Sequence, residues 1–232
     1  MNLPPWTTDT ELFDLARREL FSAVLGDIMD KLRLRRQFLP PAIQPLVRDM
    51  VLVGRAMPVL EADFFEESLD GSHNTLSTKP FGLMLDALDN LRPQEVYVCT
   101  GASPRYALWG ELMTLRATKC GAAGAVLDGF SRDTRGVLAT GFPVFSHGAY
   151  AQDQGPRGKV VDYRVPIEMD GVRIEPGDIL FGDLDGVCVV PKAAERDVFT
   201  GALEKARGEK TVAKALQEGM TARDAFAMFG IL

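Results

Sequence analysis

Histidine is nearly absent from this chain: there are two, His73 and His147, far apart. No Ser-His-Asp or Cys-His catalytic arrangement can be argued from so scattered a pair. Cysteine is also scarce. Cys99, Cys120 and Cys188 are odd in number and share no metal-ligand spacing, and Cys99 and Cys188 lie in apolar runs that read as buried thiols. No apolar run approaches the ~20 residues of a membrane-spanning helix, so no membrane partner is expected. Positive charge is in deficit: 26 Lys and Arg against 32 Asp and Glu leave a net charge of -6. An acidic chain gains little from counterion release, so no nucleic-acid partner is expected either. The opening Met-Asn-Leu-Pro-Pro-Trp lacks the basic and apolar regions of a signal peptide, and the expected location is cytoplasmic. Internal repeats and low-complexity linkers are missing too.

What is present reads as a globular protein, 46% hydrophobic and 25% charged over 232 residues. Thr8 and Glu11 form a capping box before Leu12, Phe13, Leu15 and Ala16, so a helix starts near Thr8. A second helix is predicted over 22–32. The basic run Arg33 to Arg36 that follows reads either as a phosphate patch or as a solvated helix end. Strands are predicted over 51–53 and 57–60, then a polar loop over 63–79 and a helix over 81–91 stopped by Pro93.

Beyond that, the chain alternates. A buried strand over 95–100 leads through a loop to a helix over 109–120, a strand over 125–127, a helix over 132–139 and a strand over 143–146. Such alternation with short connections is that of an α/β layer. Asp170-Gly171 between two apolar runs marks a hairpin, and strands are predicted over 179–182 and 187–190. The tail from Ala193 reads as helical, broken near Gly208 and capped again at Thr221. One domain, with a core over about 50–191 and helical extensions over 7–36 and 193–230, accounts for the pattern.

Two stretches could carry chemistry. Gly110-Glu111-Leu112-Met113 opens a helix straight after a loop. Such an end presents unpaired N–H groups that bind anions, although ordinary helix entry has the same pattern. Asp128-Gly129-Phe130-Ser131-Arg132-Asp133 follows a strand and precedes a helix, where ligands gather in open α/β sheets. Arg132 can grip a carboxylate with two prongs and Asp133 can hold a hard cation, or the two form a surface ion pair.

These runs, with Gly121, Gly124, Pro176-Gly177-Asp178 and Asp183-x-Asp185-Gly186-Val187, resemble the RraA-like superfamily. That group includes 4-hydroxy-4-methyl-2-oxoglutarate/4-carboxy-4-hydroxy-2-oxoadipate aldolases and regulators of ribonuclease E activity. The resemblance implies an α/β fold of the three-layer, swivelling α/β/β type. It also implies homotrimers or hexamers with active sites between subunits. In the aldolase branch, the position of Asp133 carries Mg2+ (or Mn2+) and that of Arg132 binds the oxo acid. The backbone at Gly110, Glu111, Leu112 and Met113 cradles the carboxylate. Glu111, an aspartate in the usual aldolase pattern, works through metal-bound water.

The implied activity is that of a Mg2+-dependent class II aldolase-type lyase. It would cleave a 4-hydroxy-2-oxo (di)carboxylic acid to pyruvate through a metal-bound enolate, and the same site could decarboxylate oxaloacetate. A 2-oxo acid chelates Mg2+ through a carboxylate and its keto oxygen, where metal and Arg132 oppose the developing charge. No lysine Schiff base is needed. A lyase acting on another 2-oxo acid, or a non-catalytic regulator of the ribonuclease type, stays open as an alternative. Other candidates each have a bland counterpart. His73 is a loop residue or reaches the site, and His147 meets the substrate's distal group or ends a strand. Asp183 and Asp185 are ligands or turn formers. Arg135 and Lys159 meet a second carboxylate or lie on the surface.

Overall fold

The computed structural model describes residues 4–65 and 73–231. Part of the predicted 63–79 loop, residues 66–72, therefore lies outside the described residues. Among them the helices are α1 (Asp9–Glu19), α2 (Ser22–Lys31), α3 (Met84–Asp89), α4 (Glu111–Lys119), α5 (Thr134–Ala139), α6 (Glu195–Gln217) and α7 (Ala222–Phe229). The strands are β1 (Gln44–Pro45), β2 (Leu52–Asp63), β3 (Glu95–Thr100), β4 (Ala107–Trp109), β5 (Gly124–Leu127) and β6 (Phe130–Ser131). They continue with β7 (Val144–Ser146), β8 (Gly158–Tyr163), β9 (Ile167–Met169), β10 (Val172–Ile174), β11 (Ile179–Asp183) and β12 (Gly186–Val190).

The main sheet runs β1-β7-β5-β3-β2-β11-β12, with β8 also on β2. β2, β3, β5 and β7 are parallel, as the strand–helix alternation predicts, whereas β11, β12 and β8 are antiparallel additions. Phe38 bridges Cys188 on β12 while Gln44 pairs Ser146 on β7, so the 38–46 stretch links the two ends of the sheet and nearly closes it.

Strand alternation sorts the core into layers. Leu52 and Ala56 of β2, Val96 and Val98 of β3, and Leu180 of β11 face one way, under the β9–β10 hairpin with its Ile167, Met169, Val172 and Ile174. On the opposite face, Val53, Ile179, Phe181, Cys188 and Val190 pack under α1, α2 and α6. Farther along that face, Met57, Val59, Tyr97, Cys99, Ala125 and Leu127 pack under α3, α4 and α5. Helices, sheet and hairpin thus form the α/β/β arrangement, with further helices at both termini.

The local signals mostly held. Thr8 accepts from the Glu11 N–H while the Glu11 carboxylate accepts from the Thr8 N–H, completing the capping box. Asp170 and Gly171 both take positive φ in the β9–β10 turn. The Arg33 to Arg36 run is mostly exposed past the end of α2, a solvated helix end.

Five boundaries differ from expectation. The two strands predicted over 51–60 are one, β2, because Arg55 stays in register between β11 and β3 while its side chain reaches Asp9 of α1 and Glu195 of α6. The 81–91 helix shortens to α3, since Phe81 and Gly82 take left-handed backbone. Trp109 ends β4 rather than opening α4; its indole donates to Thr114 Oγ1 at 2.7 Å and stacks on Phe142. The helix predicted from residue 132 begins at Thr134, because Asp133 has φ 54°. Finally, α6 runs unbroken through Gly208, where a side chain would meet Ile231 at 2.8 Å. That glycine marks the close return of the C-terminal end, not a break.

Candidate active site

β4 and β6 form a small parallel sheet, Ala107 opposite Phe130 and Trp109 opposite Ser131. The Arg132 N–H extends this ladder by donating to the Trp109 carbonyl at 2.8 Å. Each strand feeds directly into a helix, β4 through Gly110 into α4 and β6 through Arg132 and Asp133 into α5. Two helix entries predicted from separate stretches are therefore side by side. Gly110 is the contact: a Cβ there would be 2.8 Å from Asp133 Oδ2 and 3.5 Å from Arg132 Cγ. A side chain at residue 110 would push the Asp133 carboxylate aside.

Asp133 is the N-cap of α5 in left-handed conformation, and its side chain makes no capping bond. Aspartate tolerates this region better than most residues. The left-handed turn leaves the carboxylate, about half exposed, unused by the helix. Arg132 Nη2 lies 2.9 Å from Asp153 Oδ1, and its Nε is 3.8 Å from Asp133 Oδ2.

These groups border a cavity of ≈ 420 Å³ lined by Gly110, Leu112, Met113, Arg132, Asp133, Asp153 and Gln154. Phe81, Met84, Leu88 and Trp109 add an apolar wall. No side chain caps α4 at Gly110, so its first N–H groups have no acceptor inside the helix. Glu111 does not line the cavity. Its carboxylate lies against α5, where a Cβ on Gly136 would fall 2.2 Å from Oε2.

Among the described residues no group of three or more His, Cys, Asp or Glu is arranged to hold a metal ion. That donor set does not suit zinc or copper, which need several nitrogen or sulfur ligands. Mg2+ and Mn2+ keep several waters and bind through one or two carboxylates plus a substrate, so a single carboxylate could hold one. Asp133, with Gly110 leaving room beside it, is the carboxylate so placed.

The other candidates separate. Asp183 accepts from both the N–H and the hydroxyl of Ser22 at 2.7 Å, supplying from β11 the cap that α2 lacks, so its role is structural. Lys159 is buried, not on the surface: its ammonium donates to the carbonyls of Leu76, Ser77 and Lys79 and pins that loop. Arg135, Asp185 and His73 are exposed outside the cavity. His147 also lies outside it, with Nε2 3.4 Å from Asp128 Oδ1. Burial pushes the Cys99 and Cys188 thiols well up, as expected of inert packing residues.

Sequence reasoning missed Asp153, Gln154 and the Glu61 behind them. Asp153 and Gln154 sit on a loop whose spacing carries no motif, and the nearest signal was a buried-strand pattern ending in an acid at Glu61.

With the geometry in hand, comparisons with known proteins bear on it. The model of the RraA-like family, described as Aldolase/RraA, matches residues 22–189. A protein of Halalkalibacterium halodurans named "Putative 4-hydroxy-4-methyl-2-oxoglutarate aldolase" is 35% identical over 120 residues, 52% of this chain and 57% of that one. The match thus spans little more than half of that relative. A solved, uncharacterized protein of Pseudomonas syringae pv. tomato superposes with a TM-score of 0.81 at 25% identity, covering 99% of both chains. Streptomyces coelicolor RraAS2, described as an unusual member of the RNase ES inhibitor RraA family, superposes with a TM-score of 0.74. It is 24% identical and covers 89% of this chain and 98% of its own, a likeness of fold alone.

Proposed function

The chain belongs to the RraA-like family, and from that premise we propose that it is a carbon–carbon lyase acting on a small 2-oxo acid. The observation that supports this most is the convergence of Arg132, Asp133 and the α4 entry on one cavity. The named aldolase relative points the same way. The substrate class is a 4-hydroxy-2-oxo (di)carboxylic acid, with oxaloacetate as a minimal alternative.

In this reading the substrate carboxylate takes the N–H groups at the start of α4. Arg132 exchanges Asp153 for the oxo acid and faces the keto oxygen. Removal of the C4 hydroxyl proton lets the C3–C4 bond break. Its electron pair passes into C3–C2–O, giving pyruvate enolate and a carbonyl product, and a proton returned to C3 yields pyruvate. Loss of CO2 from oxaloacetate leaves the same enolate. Arg132 stabilises the oxygen where charge develops, worth about 3 kcal/mol in the transition state. Glu111 stands outside the cavity against α5, so its part in removing the C4 hydroxyl proton would be through an intervening water. Asp133 would hold Mg2+ or Mn2+, whose charge when bound polarises the oxo acid. The apolar wall keeps the local dielectric low, which strengthens these charge contacts.

The competing reading is a regulator without catalysis, since the family's description, Aldolase/RraA, covers both kinds. Pyruvate release from a panel of 4-hydroxy-2-oxo acids and oxaloacetate, with Mg2+ or Mn2+ and then with EDTA, separates the two. Metal-dependent release supports the lyase. No release from any member rejects it. A homotrimer or hexamer is part of the proposal, since Leu85 and Leu112 stand exposed at the cavity rim where a second copy would cover them. The expected location is cytoplasmic.

A further inference from the structure

Behind the cavity wall lies an acid that the proposed chemistry does not use. Glu61 is 3% exposed, near the end of β2. It has the strand parity of Met57 and Val59, so it faces the layer that holds the cavity. The β2–β8 register slips here, Leu60 facing Asp162 and Glu61 facing Val160, so the extra residue is Val161 of β8 and β2 keeps its alternation. Gly101 crosses directly over it, where a Cβ would be 2.2 Å from the Glu61 carbonyl oxygen.

Gln154 Nε2 donates to Oε1 of the Glu61 carboxyl at 2.6 Å. Gln154 is itself 5% exposed and lines the cavity. The next residue back is Asp153, which holds Arg132 at 2.9 Å. The same loop is fixed by the Ala107 N–H on the Gln152 carbonyl and by Arg157 on the Asp153 carbonyl.

We infer that Glu61 is a positioning residue of the cavity, holding Gln154, and through it the Asp153–Arg132 pair, in the geometry that receives an anionic ligand. The ligand's charge rests on the proposed function. Glu61's own charge state matters because it lies one carboxamide away from the cavity. Burial pushes its carboxyl up to about 8; the Gln154 bond opposes that shift and nearby Asp63 adds to it. The other ionisable groups around it are Tyr97 and Cys99 on β3 and Tyr106 before β4, all raised by burial, with Glu61 adding to each. Asp128 lies beyond, bonded to Thr100, and Lys159 on β8 is turned to the loop carbonyls. No cation among these neutralises an ionised Glu61. Neutral, it orients Gln154 without adding negative potential. Ionised, it repels an anion in a low-dielectric pocket.

The test is calorimetric titration of oxalate, a planar mimic of pyruvate enolate, with Mg2+ across neutral and alkaline pH. Infrared spectra of the same samples follow the protonated carboxyl band. Wild-type affinity should fall on the order of tenfold as pH passes about 8, together with loss of the band. Glu61→Ala should bind on the order of tenfold more weakly at neutral pH. Glu61→Gln, which still offers Gln154 a carbonyl and cannot ionise, should restore most of that loss and remove the alkaline fall. A merely structural role would not move the pH profile. The same alkaline fall in Glu61→Gln as in wild type, or wild-type affinity in Glu61→Ala, overturns the inference while leaving the lyase reading intact. Failure of wild-type protein to bind oxalate at any pH overturns both.

Discussion

The helices cover the outer side of the sheet in two places, and the two coverings are finished differently. Over β11 and β12, α1, α2 and α6 are fastened by partly buried charge: Arg55 holds Asp9 and Glu195 at once, and Asp183 caps α2. Over β2, β3 and β5, the charged residues at the entries of α4 and α5 are half exposed and border empty space. Leucines there stay in solvent too, Leu112 80% exposed and Leu85 56%. Charge on the first side is spent in holding helices. On the second, in the proposed function, it meets the substrate.

The sharpest way to break this contrast is to remove the cavity's charges. Asp133→Ala should abolish pyruvate release, and Arg132→Lys should lose about a hundredfold in turnover, since one ammonium cannot reproduce a two-pronged grip. Thermal unfolding of Asp133→Ala should change by only about 1 kcal/mol, the cost of a left-handed alanine. Turnover on oxaloacetate together with calorimetry checks both halves. A large stability loss would place Asp133 with the structural charges instead.

Glu61 should show next. Its carboxyl titrates at about 8 in the fold against an ordinary 4.5, so the folded state binds the extra proton between those values. Stability is then full below about 4.5 and declines as pH rises to about 8, by roughly 5 kcal/mol, levelling off above. Denaturant titrations of wild type and Glu61→Gln across that window test it; equal slopes would mean that Glu61 is already ionised in the folded protein.

Arg55→Met should lower unfolding free energy by about 3 kcal/mol, because it removes the guanidinium that Asp9 and Glu195 share and leaves only the weaker influence of Lys192 on Asp9. Activity per folded molecule should survive. Chemical denaturation and oxaloacetate turnover on the same preparation separate the effects. A variant as stable as wild type would show that the ion pairs only decorate that face.

The smallest effect belongs to Leu112→Ser, which should alter the chain's own stability by less than about 0.5 kcal/mol. Sedimentation should nonetheless show a smaller assembly if second copies cover this rim. An unchanged mass would assign the contacts elsewhere.

These contrasts explain what could be read beforehand. The α/β alternation, the Thr8 box and the Asp170-Gly171 turn are local patterns, and each formed as its spacing predicts. Gly110, Leu112, Met113, Arg132 and Asp133 were legible because each helix entry is contiguous. Their meeting was not, since it depends on β4 pairing with β6, and the sequence reads as a loop up to Ala107 and as a helix from Trp109. Asp153, Gln154 and Glu61 come from a loop and a strand end distant in sequence, so no spacing could join them. Arg55 was hidden for the same reason: a charged residue amid strand-like runs looks like an interruption until its partners on α1 and α6 are seen.

The central claim is that the Arg132–Asp133 cavity cleaves a carbon–carbon bond with a divalent cation. Pyruvate formed from oxaloacetate and from a 4-hydroxy-2-oxo acid is the direct measure, taken with Mg2+, after EDTA, and after Mg2+ is restored. The account predicts release that stops with EDTA, returns with Mg2+ and is missing in Asp133→Ala. Undiminished release in metal-free buffer, or from Asp133→Ala, would contradict it.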